Sequence, residues 1–162
     1  MCYSIPMRIG TGFIMTHIKL WYVYTNILVP TDGSDLAERG LEHGMELARE
    51  HGAHLHILFV VDESVYGSTP ALSSYEAFLD KMADDAEDLA EDFIEEATEQ
   101  GIDSTMSVLR GVPHEEILNY TQENNIDAIV MGKRGAAGVG YPHIGSVTDR
   151  VIREAEVPVI PV

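Results

Sequence analysis

From Asn26 onward, short apolar runs alternate with longer stretches whose apolar residues recur at three- and four-residue spacing. That alternation marks βαβ units, in which helices cover both faces of a parallel sheet. Strands are predicted at Ile27-Leu28-Val29 and over residues 54–61, 104–109, 128–131 and 157–162. The first, second and fourth are nearly unbroken apolar runs, as strands buried on both faces require. Between strands, Leu36, Ala37, Leu41, Met45 and Ala48 form a helical stripe closed by Gly52, a residue suited to a left-handed cap. A second stripe through Met82, Ala86, Leu89, Phe93 and Ala97 stops at Gly101. Pro113, with its fixed φ, is placed to open a third helix carrying Ile117, Leu118 and Tyr120. Ser146 is expected to begin and cap a fourth, with Asp149 as its capping-box-like partner and Val151 and Ile152 facing inward.

The pattern fails over residues 1–24, where Pro6, Gly10 and Gly12 mix with the aromatic Trp21, Tyr22 and Tyr24. Arg8 and Lys19 are too scattered for a signal peptide. Two readings stand for this stretch. One is a poorly ordered extension or a start placed too early, with Met7 or Met15 as alternatives; the other is a strand or arm that covers a sheet edge or a partner. Residues 25–162 are expected to form one domain, because a chain of 162 residues, 45% of them hydrophobic, closes one core but not comfortably two.

The formal net charge of −17 argues against attachment to nucleic acid or anionic lipid, which would repel the chain, and suits a solvent of high salt. No run of eighteen apolar residues occurs, so no membrane partner is expected. The lone Cys2 offers neither a disulfide nor a thiolate metal cluster, which fits a reducing cytoplasm. Acidic residues crowd residues 76–99 against the single Lys81. This face is read either as solvated or as an acidic docking surface. Residues 62–77, with Gly67, Pro70 and several serines, form a connection long enough for a binding loop or lid. His54 and His56 share one face of a strand, but two ligands without a third do not make a metal site, and both are read as core or rim residues.

In an open parallel sheet the ligand crevice lies beyond the carboxyl ends of the strands. After the first strand comes Pro30-Thr31-Asp32-Gly33-Ser34-Asp35, and after the second, Asp62. Residues 131–146, after the fourth, are a glycine-rich stretch running from a strand into a helix N-terminus. Glycines let backbone N–H groups approach phosphate oxygens without a Cβ in the way, and the helix start adds unpaired amides and the positive end of its dipole. The stretch is not a Walker loop, which would end in Gly-Lys-Ser/Thr, nor a dinucleotide fingerprint after the first strand. No base is evident that would activate Ser146 as a nucleophile, so no catalytic residue is assigned.

Gly132-x-x-Gly135, nine residues, then Gly145-Ser146 resembles the ATP-binding signature of the universal stress protein family. Residues 27–34, 59–62, 145–151 and 157–160 resemble that family's first strand and turn, second-strand end, last helix and last strand, so the likeness spans residues 26–162. The resemblance implies an α/β fold with a single open, five-stranded parallel sheet flanked by helices, Rossmann-like, with strand order 3-2-1-4-5. It implies an ATP site in which Pro30, Thr31 and Asp32 line the adenine and ribose, Val60 offers backbone groups to the adenine edge, Gly132 lies against the ribose, and Gly135, Gly145, Ser146 and Val147 bind phosphates, with Met131 also among the nucleotide-binding residues. It further implies a homodimer through the C-terminal strand and an unknown client protein. Gly140 and Pro142 make the middle of the loop irregular, and Pro161 removes a ladder donor from the last strand. Asp32 and Asp35 are able to hold Mg²⁺ through water, but two aspartates near a turn are common without a metal, and no metal ligand is assigned. The leading expectation is a nucleotide-dependent stress-response or signalling module; the rivals are a slow ATPase or phosphotransferase, and a structural partner-binding protein with a vestigial site.

Overall fold

The computed structural model describes residues 3–9, 12–18, 24–63, 77, 81, 92–133 and 144–162. Near the N-terminus, β1 (Tyr3–Ile9) and β2 (Gly12–Ile18) pair antiparallel as a two-stranded sheet of their own. The rest builds one five-stranded parallel sheet from β3 (Asn26–Thr31), β4 (His54–Asp62), β5 (Ser104–Gly111), β6 (Ala128–Met131) and β7 (Val159–Pro161), in the order β5-β4-β3-β6-β7. Counted from β3, this is the 3-2-1-4-5 arrangement that the sequence led us to expect. The helices are α1 (Asp35–His51), α2, helical over residues 92–99, α3 (Pro113–Glu123) and α4 (Ser146–Glu154).

Alternation along β3 divides the core. Ile27 and Val29 face α1 and α2, packing with Leu41, Met45, Phe93 and Ala97, while Leu28 faces α3 and α4, packing with Ile117, Tyr120 and Val151. Ile27, Leu28 and Val29 are fully buried because both faces of this central strand are covered. In α1, Gly44 lets the helix settle onto Val29: a Cβ there would collide with the valine Cγ2. The helix ends at Gly52 in the left-handed region (φ 66°), its N–H bonded to the Ala48 carbonyl.

Two expectations need correcting. The last strand is shorter than residues 157–162. Ile152, expected inside, is 39% exposed, because the inward stripe of α4 is held by Thr148 and Val151. The ladder donor that Pro161 removes belongs to the outer edge of β7, not to its ladder with β6. The Pro158 carbonyl and the Val162 N–H and carbonyl all bond toward β6, so by strand alternation the nitrogen of Pro161 points to the open edge of β7.

His54 and His56 have partners that explain them without a metal. His54 Nδ1 stands 2.9 Å from Asp103 and its Nε2 3.0 Å from Thr105 Oγ1. His56 Nδ1 lies 3.1 Å from the Tyr120 hydroxyl and its Nε2 3.4 Å from Asn26 Oδ1. Burial, and secondarily the neighbouring His54, push the His56 pKa below the usual histidine value.

Candidate functional site

The connection leaving β3 through α1 and the one leaving β6 through α4 pass to opposite faces of the sheet, so the switch point lies between the carboxyl ends of these two strands. The β3–β6 ladder is paired at Ile27 with Ala128 and Leu28 with Ile129. Pro30 has no N–H to extend it.

At the end of β3, Pro30 and Thr31 are buried and Asp32 is exposed. The turn beyond is held by side chains: Thr31 Oγ1 accepts from the Gly33 N–H at 3.2 Å, and Asp32 Oδ1 accepts from the Ser34 N–H at 3.1 Å and hydroxyl at 2.6 Å. Ser34 Oγ in turn accepts from the Ala37 N–H at 3.3 Å, capping α1. One oxygen of Asp32 therefore shapes the turn while its carboxylate stays at the mouth of the sheet. Val60, half-buried, is the first residue of β4 beyond Phe59, the last partner of β3 in their ladder.

At the end of β6, Met131 and Gly132 are buried. A Cβ on Gly40 would stand 3.1 Å from the Gly132 nitrogen, so the absence of a side chain in α1 is what lets the helix lie against this strand end. The loop that follows is fastened at both ends. Gly132 C=O accepts from the buried Thr148 hydroxyl at 2.9 Å, Lys133 C=O accepts from the Gly145 N–H at 2.7 Å, and the Lys133 N–H donates to Val162 C=O at 2.8 Å. Residues 134–143, Gly135 among them, lie outside the described residues.

Ser146 does not cap α4 as expected. Gly145 takes the cap position in an extended conformation (φ −63°, ψ 153°), Ser146 is the first helical residue, and no side chain caps the helix. Asp149 binds Arg153 at 2.9 and 3.2 Å instead of reaching back. The first bond into the helix runs from the Asp149 N–H to the Gly145 carbonyl at 2.9 Å. The amides of Ser146, Val147 and Thr148 precede it and have no intrahelical acceptor, leaving the first turn of α4 suited to an anion. The Gly145 amide, by contrast, is spent on Lys133.

The structure thus brings Pro30, Thr31, Asp32, Val60, Met131, Gly132, Gly145, Ser146 and Val147 to the carboxyl end of the sheet. Three contributors were missed in the sequence: Ser34, Gly40 and Thr148. A serine just before an apolar-periodic stretch signals the first, and a glycine inside a helical stripe the second; nothing local signals Thr148. A separate cavity of about 310 Å³, lined by Thr121, Asn125, Glu154 and Val157 among others, lies where α3 and α4 end, just before β6 and β7 begin and so at the opposite, amino end of the strands.

A model of the universal stress protein family matches residues 24–162. The chain belongs to the universal stress protein family. Universal stress protein MJ0531 of Methanocaldococcus jannaschii is 33% identical over 138 residues, covering 85% of this chain and 81% of the relative. Among solved structures, the universal stress protein UspA from Lactobacillus plantarum aligns with a TM-score of 0.80 at 33% identity, over 86% of this chain and 97% of that one. Two more distant structures share the fold and carry adenylates. A universal stress protein in complex with cAMP is 20% identical (TM-score 0.61, 86% of this chain and 97% of that one). The protein from Archaeoglobus fulgidus in complex with dAMP is 24% identical (TM-score 0.60, 86% and 98%).

Proposed function

We propose that this universal stress protein binds ATP at the carboxyl ends of β3, β4 and β6 and acts as a nucleotide-dependent stress-response or signalling module. The observation that carries the reading is the first turn of α4. Three successive amides without intrahelical acceptors are clamped to the end of β6 through Lys133 and Thr148. Fixed donors of this kind favour phosphate because they need no reorganisation on binding. In this reading Pro30, Thr31 and Val60 border the adenine, Asp32 accepts from a ribose hydroxyl, and Met131 and Gly132 lie along the sugar. Gly135, Ser146 and Val147 offer amides to phosphates, with Mg²⁺ held by the phosphate oxygens and water. Gly145 contributes the space left by its missing side chain. Adenylates bound to two relatives of the same fold support the choice of nucleotide. Pairing of two copies along the open edge of β7 belongs to the same proposal.

Equilibrium titration of the purified protein with ATP, with and without Mg²⁺ at high salt, tests it. Saturable binding in the micromolar range, about −8 kcal/mol, is expected, with an adenine nucleotide in the mass spectrum of ligand released from fresh protein. A flat titration removes the reading, and sedimentation at the mass of one chain removes the dimer.

A further inference from the structure

Arg150 lies one helical turn along α4 from Ser146 and on the same face, since residues four apart on a helix are neighbours with about 5–6 Å between their β-carbons. Its guanidinium reaches toward α3, where Nη1 stands 3.5 Å from Nδ1 of His114. An arginine has no acceptor, so in this contact the one atom able to accept is Nδ1 of His114, while the Nε2 of the ring lies 4.0 Å from the Glu115 carboxylate. The His114 side chain is only 12% exposed, whereas Arg150 is open to solvent. A sheltered ring thus guides an exposed cation. Both residues sit at the carboxyl end of the sheet: α3 opens two residues after β5, and α4 opens where the loop from β6 returns.

Among the described residues no carboxylate pairs with Arg150, and the adjacent Asp149 is taken up by Arg153. The chain carries 27 Asp and Glu against 10 Lys and Arg. An arginine docked on an imidazole, with no carboxylate paired to it among the described residues, keeps its charge for a ligand. The amides of the first turn of α4 are fixed and can serve only the phosphate set against them, whereas a guanidinium one turn away has a side chain long enough to swing toward more distant phosphates and a fork that grips their oxygens with two parallel N–H bonds.

We infer that Arg150, guided by His114, reads the outer phosphates and makes the site prefer a triphosphate to a monophosphate; the inference rests on the ATP reading above. The test is a set of titrations with ATP and with AMP, at one salt concentration, of the parent protein and of Arg150→Gln, Arg150→Lys and His114→Leu, with melting curves alongside. Arg150→Gln is expected to weaken ATP binding about tenfold or more, the range for losing one charge-assisted contact, and to leave AMP binding within about twofold. Arg150→Lys recovers part of the loss because the charge returns without the fork. His114→Leu shifts the ATP to AMP preference in the same direction by less. Equal losses for both nucleotides, or unchanged ATP binding in Arg150→Gln, overturn the inference, and unchanged preference in His114→Leu removes the guiding role of that ring. A parent that binds neither nucleotide sinks the ATP reading itself, whereas a parent that binds ATP beside an unaffected Arg150→Gln sinks only the inference.

Discussion

At Gly145 the backbone conformation is open to any residue, with φ at −63°. At Gly44 a Cβ meets the side chain of Val29, which is fully buried and, being β-branched, has little rotamer freedom to yield. The two glycines are therefore kept for different physical reasons, and substitution separates them. Gly145→Val places a branched side chain at the mouth of α4 without straining the chain. It is expected to lower ATP affinity more than tenfold at a cost in stability of about 1 kcal/mol, because valine is a poorer cap residue than glycine. Gly44→Ala gains about 1 kcal/mol of helix propensity but incurs about 1–3 kcal/mol of overpacking. Its urea midpoint should fall by the equivalent of about 1 kcal/mol, with ATP affinity in the folded protein retained. Parallel loss of binding and stability in both variants would show that the site and the core are not separable in this way.

At the level of elements, what could be read in the sequence follows from how local each cause is. β3, β4 and β6 were legible because burial on both faces leaves continuous apolar runs, and α1 and α3 because Gly52 and Pro113 mark a cap and a first turn. The cap of α4 was misplaced because Gly145 and Ser146 are both acceptable cap residues and only the backbone dihedrals tell them apart. The fastening of the loop through Thr148, Lys133 and Val162 was invisible, since it joins residues brought together only by folding. The histidines of β4 were assigned to the core or rim without their partners, which come from β3, β5, α3 and the residue preceding β5. His56 is 9% exposed and faces His54, whose ring centroid is 4.6 Å away, with Tyr120 and Asn26 at its nitrogens; His54 in turn faces Asp103. Burial holds the His56 pKa below its unfolded value of about 6.5. The unfolded chain then takes up this proton more readily than the folded one. The contribution is complete above about pH 6.5 and is lost as pH falls from there through the folded-state pKa. In His56→Gln, the decline in unfolding free energy between about pH 6.5 and pH 5 should be shallower than in the parent. Curves that stay parallel over this interval would place the titration elsewhere.

Over the whole molecule the dominant fact is a net charge of −17, which opposes compaction by self-repulsion. The described part of α2 shows how it is carried: Asp92, Glu95, Glu96 and Glu99 are exposed while Phe93 and Ala97 pack inward. Simple salt shortens the reach of that repulsion, from about 10 Å at 0.1 M to about 3 Å at 1 M. The melting temperature should therefore climb between about 0.05 and 1 M NaCl by about 4 °C or more, equivalent to roughly 1–2 kcal/mol for a chain of this size. The shape of the rise carries the argument, because screening saturates at moderate salt whereas strengthened apolar burial keeps growing with concentration. Most of the gain is expected early, and replacing Glu95 and Glu99 by glutamine should raise stability at low salt and flatten the curve. A linear climb that these substitutions leave unchanged would trace the salt response to apolar burial instead of charge. On the proposed ATP reading the same repulsion bears on the ligand: a polyanion approaches this surface against a like charge, so the fixed amides of α4 and the guanidinium of Arg150 would act at contact range, where screening matters least.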